Sequence, residues 1–429
     1  MRIQPKHHGL PSGRKFYAYR RAPTRSLSVY RQSSKNHRSL PRPEELLKIL
    51  IDFGTVTDRE TGFHIKPADE RIMGKLLGEK EYNEAEALGF SHFPMPSYLK
   101  GSQLPATQMS LVLAASQKYR TRNEEPPLDC FPKFTLVGWD GDRTIWNGVL
   151  GSLWHHYLAG QKSYIDKTRL IQIGTAYGWN KIKHRFWGTG DYLAYQSFGP
   201  RLLQGLVESI VWQLAKYFKT DVIDERHDWY FQGAIDRIQS YQQDPHNILV
   251  CASGSSVYPT TALAVDLGFH QVFGSRTRVD ENGVITDDIE TPLTVFAGKP
   301  ILVDGWLRIA MRDALKKFLG REPNGEEVND VVEGIIMRAH IYTDDLQLDQ
   351  FFARYLGTHG QRVITSYDWK WHEQVEKEAN EFGLAIERFD GQTKPENYDK
   401  WKEEMEKQKK ILEAFATTKG KERLEKSKG

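Results

Sequence analysis

Two aspartates and a threonine, Asp140, Asp142 and Thr144, are spaced two residues apart directly after an apolar segment that begins at Phe134. The apolar run is typical of a buried strand in a parallel sheet, and ligands bind beyond the carboxyl ends of such strands. Two neighbouring carboxylates cost free energy unless a cation or a shared proton compensates them. The pattern therefore predicts a magnesium site for an anionic substrate. The alternative is an Asp-rich turn, which about one chain in ten of this length would carry by chance.

Three later segments carry polar residues in an order that would complete such a site. A second apolar strand begins at Asn247 and ends in two serines, Ser253 and Ser255. A lysine, Lys299, follows a glycine in a predicted loop. A third apolar strand runs into an acidic cluster that consists of Asp344, Asp345 and Asp349. We expect the four segments to converge at one edge of the sheet.

In this order, an acidic pair, hydroxyl residues, a lysine and an acidic cluster resemble the four motifs of the haloacid-dehalogenase (HAD) superfamily of phosphohydrolases. The resemblance is closest to the phosphoserine-phosphatase-like branch, and it extends from about Phe131 to Asp390. It implies an α/β fold with a Rossmann-like parallel sheet, an inserted helical cap, and helical N-terminal and C-terminal extensions. The local segments that match this branch are Ser253-Gly-Ser255, Leu267-Gly268, Gly274-Ser-Arg276, Asp280-Glu-Asn-Gly283 and Gly298-Lys299.

The resemblance also implies a role for each polar residue. Asp140 would be the nucleophile that forms an aspartyl-phosphate, and Asp142 would be the general acid and then the general base. Lys299 would compensate negative charge on the nucleophile and the phosphoryl oxygens. Contacts to the phosphoryl group would come from Thr144, Ser253, Gly254 and Ser255.

Magnesium is the cofactor that the resemblance implies, because Mg²⁺ prefers hard oxygen ligands and retains several waters. Its ligands would come from Asp140, a backbone carbonyl near Asp142, and either Asp344 or Asp345. Both aspartates stay open as the ligand, since the superfamily uses spacings of four and of five residues to the final acid. Asp349 would contact the groups that bind the ion and orient them, without being the first choice as a direct ligand.

The sequence departs from the superfamily pattern at two positions. Arg143 follows the second aspartate, where a glycine is common. This side chain could crowd the turn, or it could face solvent or the substrate. Leu348 precedes the last aspartate of the acidic cluster, where this branch often has an asparagine.

Composition and spacing divide the chain into five regions. The first 43 residues hold 11 Lys or Arg and no acidic residue, which suits a transit peptide, an arm that binds phosphate groups, or a solvated tail. From Asp140 to Ser253 is a step of 113 residues, whereas a strand–helix–strand unit needs only about 30, so a domain is inserted there. The predicted regions are a basic arm (1–43), a helical N-terminal region (44–128), the catalytic core (129–146 and 246–390), a helical cap (147–245) and a charged C-terminal helix (391–429).

The remaining sequence features bear on location and partners. The chain has no apolar run of 18 residues, so no membrane span is expected. Two cysteines, Cys130 and Cys251, indicate a reducing compartment. We therefore expect a cytoplasmic protein, or a mitochondrial one if the basic N-terminus is a transit peptide.

The function that these patterns predict is a Mg²⁺-dependent phosphatase that hydrolyses a small phosphomonoester through an aspartyl-phosphate. The alternative is a HAD-like domain that serves as a structural or assembly subunit of a larger complex and has no phosphatase activity. The expected partners are a small phosphorylated substrate and an anionic or macromolecular partner of the basic arm.

Overall fold

A six-stranded sheet, parallel throughout, forms the centre of the computed structural model. The structure describes residues 56–57, 64–65, 99 and 101–389, with gaps at 162–163, 166, 188–197, 227–228, 291–292, 297, 358–359, 366–374, 378 and 381–382. The strands of this sheet are β3 (Thr135–Trp139), β4 (Asn247–Ser256), β5 (Gln271–Ser275), β8 (His340–Thr343), β9 (Arg362–Thr365) and β10 (Ala385–Glu387). Their order across the sheet is β10-β9-β8-β3-β4-β5.

Alternation along the central strands distributes side chains between two apolar layers. Leu136 and Ile248 lie in the layer beneath one face of the sheet, and their neighbours Val137 and Leu249 lie in the layer on the other face. The first layer is packed by helices α1 (Ala106–Arg120), α8 (Gly298–Leu319) and α9 (Gly325–Ile336). Because both faces are covered, the strands are apolar almost without interruption, as buried parallel strands require.

The second layer joins the sheet to the helices inserted between β3 and β4. These helices are α2 (Leu150–Gly160), α3 (Lys167–Trp187), α4 (Phe198–Leu203), α5 (Glu208–Phe218) and α6 (Gln232–Gln242). A π-helical turn, Lys219–Ile223, follows α5. The large buried side chains Trp154, Phe218 and Trp229 fill this layer.

The remaining elements connect these layers. Helix α7 (Val257–Ala264) follows β4, a hairpin of β6 (Thr277–Val279) and β7 (Ile285–Ile289) follows β5, and α10 (Leu346–Phe351) follows β8. A 3-10 turn, Leu128–Cys130, precedes β3, and a π-helical turn, Phe352–Leu356, follows α10.

Helix α1 lies in the N-terminal region predicted to be helical, and a buried glutamine anchors it to the core. The side-chain amide of Gln108 donates to the carbonyl oxygens of Pro245 and Asn247, at the start of β4. Two short strands, β1 (Val56–Thr57) and β2 (His64–Ile65), pair antiparallel in the region predicted to be helical. The basic arm and the C-terminal helix lie outside the described residues.

Candidate active site

Asp140 lies at the carboxyl end of β3, in the middle of the sheet. Its backbone N–H donates to the carbonyl oxygen of Tyr342 on β8 at 2.9 Å, which extends the parallel pairing of the two strands. The side chain is buried, with 5% of its surface exposed. Since β3 and β8 run in parallel, the acidic cluster that follows β8 emerges at the same edge as Asp140.

Lys299 joins two buried aspartates from different parts of the chain. Its Nζ donates to Asp140 Oδ1 at 2.5 Å and to Asp349 Oδ2 at 2.8 Å, and 3% of the residue is exposed. The sequence predicted a loop here, but Gly298 and Lys299 open α8. The physical reason is Pro300, which suits the first turn of a helix, where a backbone N–H has no partner to lose.

Burial controls the proton affinity of these three groups. Burial raises the pKa of Asp140; Lys299 opposes this rise, and the charge of Asp142 adds to it. Burial likewise raises the pKa of Asp349 to about 7, against the lowering by Lys299. Burial would lower the pKa of Lys299, but the charges of both aspartates raise it above its usual value. An additional positive charge at this edge would therefore stabilise the ionised form of Asp140.

Asp142 is held by donors from three different segments. Its Oδ1 accepts from Trp146 Nε1 at 2.7 Å and from the backbone N–H of Leu150 at 3.0 Å. Its Oδ2 accepts from the Ser255 hydroxyl at 2.7 Å. Two of these donors, Leu150 and Ser255, were not expected to contact it, since they lie eight and 113 residues further along the chain.

The turn between the aspartates and Thr144 explains one departure from the superfamily pattern. Arg143 has a φ of 62°, in the left-handed region where glycine has no steric cost and other residues do. A glycine at this position would adopt the same conformation without steric cost. Thr144 is fully buried, and its hydroxyl lies 3.4 Å from Asp140 Oδ2.

The Ser253-Gly254-Ser255 segment lies against the Asp140 turn, but it is not the start of a helix. Strand β4 continues to Ser256 through a shift in its pairing with β5, and α7 begins at Val257. The Ser253 hydroxyl accepts from the backbone N–H of Ser255 at 3.1 Å. A Cβ on Gly141 would lie 3.2 Å from Ser253 Cβ, so the serine packs directly against the turn.

The acidic cluster after β8 contains three buried carboxylates with different surroundings. Asp345 Oδ1 accepts from the backbone N–H of Leu348 at 3.3 Å, within the short helix α10. Asp349 accepts from the Thr343 hydroxyl at 2.8 Å in addition to Lys299. Asp344 is 6% exposed and lies two residues beyond the last β8 residue that pairs with β3.

The donor set at this edge fits a magnesium ion. Within the described part of the chain, no three His, Cys, Asp or Glu side chains are grouped as metal ligands. Mg²⁺ does not require such a group, because it keeps several waters and is bound through one or two carboxylates. Asp140 and Asp344 provide two carboxylates at neighbouring strand ends, and backbone carbonyls of the Asp140 turn provide further oxygens.

Sequence reasoning missed Trp146 and the first residues of α2. The indole of Trp146 is fully buried, and a Cβ on Gly141 would come within 2.4 Å of its ring. The only signal in the sequence was the position of a tryptophan shortly after the acidic pair. Nothing local indicated that the backbone of Leu150 and Gly151 would reach the same site.

The fold places a buried aspartate, Asp140, directly after a central strand of a parallel sheet. Residues 137–317 match the family model of haloacid dehalogenase-like hydrolases. This part of the chain is therefore similar to HAD-type hydrolase domains, and the match agrees with the predicted resemblance to that superfamily. The six-stranded parallel sheet confirms the predicted fold class. The match begins within β3 and ends within α8, so it includes Asp140, Ser253 and Lys299.

Solved structures resemble the chain at low sequence identity. A protein of unknown function from Bordetella pertussis Tohama I is 17% identical over 59% of this chain and 98% of its own, with a TM-score of 0.43. A HAD family hydrolase from Salmonella enterica serovar Typhi is 13% identical over 61% of this chain and 70% of its own, with a TM-score of 0.35.

A phosphoserine phosphatase that holds an analogue of its phospho-aspartyl intermediate is 15% identical over 60% of this chain and 95% of its own, with a TM-score of 0.32. All three likenesses are too distant to support a function. No curated protein sequence matches the chain significantly. None of the described helices is both long and apolar enough to cross a membrane.

Proposed function

We propose that the protein is a Mg²⁺-dependent phosphatase that hydrolyses a small phosphomonoester through an aspartyl-phosphate. The observation that carries this proposal is the contact of 2.5 Å between Lys299 Nζ and Asp140 Oδ1 at the end of the central strand. A buried carboxylate that faces a lysine, with a second carboxyl group two residues later, has the parts that a nucleophile and its acid–base partner require.

In the first step, Asp140 Oδ2 attacks the phosphorus atom, while Lys299 stays at Oδ1. The bond from phosphorus to the ester oxygen breaks, and Asp142 gives its proton to the leaving alkoxide. Ser253 and Thr144, buried on either side of the Asp140 turn, would contact the phosphoryl oxygens. Burial excludes water from the nucleophile until the leaving group has departed.

In the second step, Asp142 removes a proton from a water molecule that attacks the phosphorus of the aspartyl-phosphate. The acyl-phosphate bond breaks, inorganic phosphate leaves, and both aspartates return to their initial states. One residue serves as acid and then as base because the two steps move the proton in opposite directions.

Asp140, Asp344 and the backbone carbonyl of Asp142 are the ligands that we propose for Mg²⁺. When bound, the ion supplies the positive charge that lets an anionic nucleophile approach an anionic phosphate. Asp344 is proposed because it lies two residues beyond the last β8 residue that pairs with β3, at the strand end next to Asp140. Asp349, which contacts Lys299 and Thr343, would hold the lysine in place.

The inserted helices are proposed to form a cap that limits the size of the substrate. Asp140 and Lys299 are 5% and 3% exposed with these helices in place. A phosphorylated macromolecule would not reach a nucleophile buried in this way, whereas a small phosphomonoester could enter when the cap moves.

A phosphatase screen tests the proposal directly. The purified protein, with Mg²⁺ and a panel of small phosphomonoesters, should release phosphate, and Asp140→Asn should lower kcat at least about 10³-fold. Asp288→Asn, at an exposed position on β7, is the matched control and should retain full activity. Equal thermal unfolding of the wild type and Asp140→Asn would show that the fold survives.

The screen also separates the enzyme from the structural-subunit alternative. A wild-type protein that is folded and loaded with Mg²⁺, yet releases no phosphate from any panel member, would contradict the phosphatase proposal. Activity that is unchanged in Asp140→Asn would contradict the assignment of the nucleophile.

A further inference from the structure

We infer that Ser255 is a positioning residue for Asp142, and that the first turn of the cap helix α2 fixes Ser255 in that role. This inference rests on the proposed function, because it concerns the residue that would protonate the leaving group. Ser255 was expected to bind the phosphoryl group. Its hydroxyl is instead committed to a carboxylate that belongs to the acid–base step.

The direction of the Ser255 hydroxyl follows from its two hydrogen bonds. The backbone N–H of Gly151 donates to Ser255 Oγ at 3.1 Å, so this oxygen acts there as an acceptor. A hydroxyl has a single hydrogen atom to donate. The partner for that hydrogen is Asp142 Oδ2 at 2.7 Å, and the chain of donors runs from Gly151 through Ser255 to Asp142.

The other carboxylate oxygen is fixed by the same helix and by a tryptophan. Asp142 Oδ1 accepts from the backbone N–H of Leu150 at 3.0 Å and from Trp146 Nε1 at 2.7 Å. The Trp146 ring cannot move towards the Asp140 turn, because it already packs against Gly141. With both oxygens held, the torsion of the carboxyl group is set.

Both backbone donors, Leu150 and Gly151, belong to the first turn of α2, which has backbone N–H groups without partners inside the helix. The cap therefore contributes directly to the orientation of the acid–base residue. A small displacement of α2 would move the two N–H groups and, through Ser255, the second carboxylate oxygen. Contact between cap and acid–base residue is the physical basis of the positioning role.

The contacts at Ser255 are so close that small changes there should disturb its hydrogen bond to Asp142. A Cβ on Gly151 would lie 3.3 Å from Ser255 Oγ, closer than an ordinary contact. Ser255 is 8% exposed, so water has little room to replace its hydroxyl. Removing the hydroxyl would leave both the Gly151 N–H and Asp142 Oδ2 short of a partner.

The test uses the dependence of the rate on the leaving group. An alkyl phosphate needs a proton on its leaving oxygen, whereas p-nitrophenyl phosphate has a leaving group that departs without one. Ser255→Ala should lower kcat/KM for an alkyl phosphate by about 10- to 100-fold and for p-nitrophenyl phosphate by less than about 3-fold. The ratio kcat/KM is used because it reports the steps up to the first irreversible one.

Two further variants sharpen this result. Ser255→Thr keeps the hydroxyl and suits a strand, so it should recover most of the activity on the alkyl phosphate. Ser275→Ala is the matched control, because that serine donates to the carbonyl of Gly254 nearby without contacting Asp142. The control should leave the ratio of the two kcat/KM values unchanged.

The outcomes distinguish the inference from its alternatives. An equal loss on both substrates would overturn it and assign Ser255 to phosphate binding. Unchanged kcat/KM on both substrates in Ser255→Ala would also overturn it. If the wild type has no phosphatase activity, the proposed function is contradicted instead. The hydrogen bond between Ser255 and Asp142 can then be tested without catalysis.

That second measurement is a double-mutant cycle on stability, with Ser255→Ala, Asp142→Ala and the double variant in urea. If the two side chains are coupled, the double variant should unfold at no lower urea concentration than the less stable single variant. Strictly additive losses would overturn the inference whatever the activity.

Discussion

Asp140 and Asp142 lie two residues apart, but different parts of the molecule hold their side chains. Asp140 is fixed by the core, through Lys299 on α8 and the pairing of β3 with β8. Asp142 is held through Trp146, Ser255 and the backbone N–H of Leu150 in the cap. The first aspartate faces a full positive charge, and the second faces donors without a net charge.

This difference separates two demands of the proposed chemistry. A nucleophile must keep one position and one ionisation state, and a buried ion pair provides both. An acid–base residue must gain and lose a proton in each cycle, so neutral donors serve it better than a fixed cation. The core thus supplies the charge at Asp140, and the first turn of α2 contributes to the orientation of Asp142.

Removing the positive charge of Lys299 should have the largest effect on both stability and activity. Lys299→Met leaves Asp140 and Asp349 buried without their cation, and breaking a buried pair in this way costs about 3–5 kcal/mol of unfolding free energy. We expect kcat to fall at least about 10³-fold because the counter-charge at the nucleophile is lost. Urea unfolding and steady-state kinetics at pH 7.5 measure both effects.

A matched control is Lys317→Met, on the same helix, whose lysine pairs with Asp313 at a partly exposed site. Exposed pairs contribute about 0–1 kcal/mol, so this variant should be close to the wild type. If Lys299→Met had the same unfolding free energy as Lys317→Met, the ion pairs of Lys299 with Asp140 and Asp349 would not stabilise the fold.

An effect of intermediate size is expected at His155 on α2, where the free energy of unfolding should depend on pH. Burial lowers the pKa of His155 on α2 to about 4, with the charge of His156 as the second cause, against about 6.5 in the unfolded chain. Between these values the unfolded state binds more protons, so this group makes stability rise with pH from about 4 to 6.5. The change should be about 3 kcal/mol.

His155→Gln should remove this part of the pH dependence, as urea unfolding at pH 4.5 and 7.0 would show. His246→Gln is the control, because that histidine is largely exposed and paired with Asp244. The same stability slope in wild type and His155→Gln between the two pH values would contradict the prediction. The buried groups Asp140, Asp349 and Lys299 should change stability with pH in the opposite direction, because the pKa of each is raised in the folded protein.

The smallest effect is expected at the turn that connects the two aspartates. Arg143 adopts a left-handed conformation with a φ of 62°, which costs a non-glycine residue roughly 1–2 kcal/mol. Arg143→Gly removes this cost but adds entropy to the unfolded chain, so the unfolding free energy should rise by about 0.5–1 kcal/mol. Thermal and urea unfolding would measure it.

Arg143→Ala serves as the comparison, because it deletes the side chain and keeps the steric cost. Equal stability of the alanine and glycine variants would show that the turn is not strained at this position. Different kcat/KM values for the two variants would show that the turn conformation affects the orientation of Asp142.

The sequence predicted the core half of the site better than the cap half. Apolar strands followed by polar residues located Asp140 and the acidic cluster at strand ends, since the pattern and the strand are local. The confirmed fold follows from the same alternation. The helical start at Lys299 was missed, because a glycine and a proline on either side of the lysine are typical of loops. The strand that ends in Ser253 and Ser255 was predicted, and it continues one residue further, to Ser256.

The contacts of Asp142 were not predictable, because they are made by distant segments. Ser255 lies 113 residues further along the chain, and the backbone of Leu150 has no side-chain signature at all. Trp146 is only four residues away, but no motif marks it. Arg143 was noticed as a departure, but its conformation became interpretable only with the φ angle. The roles assigned to these residues stay predictions until the variants are measured.

The position of the inserted helices has a consequence for synthesis of the chain. Trp139 ends β3 and Asn247 begins β4, so the central strand leaves the ribosome about a hundred residues before its first parallel neighbour. At about 5–20 residues per second, this interval is roughly 5 to 20 s. During that time the apolar segment that begins at Phe134 has no sheet to join, and it is a target for chaperones or for aggregation.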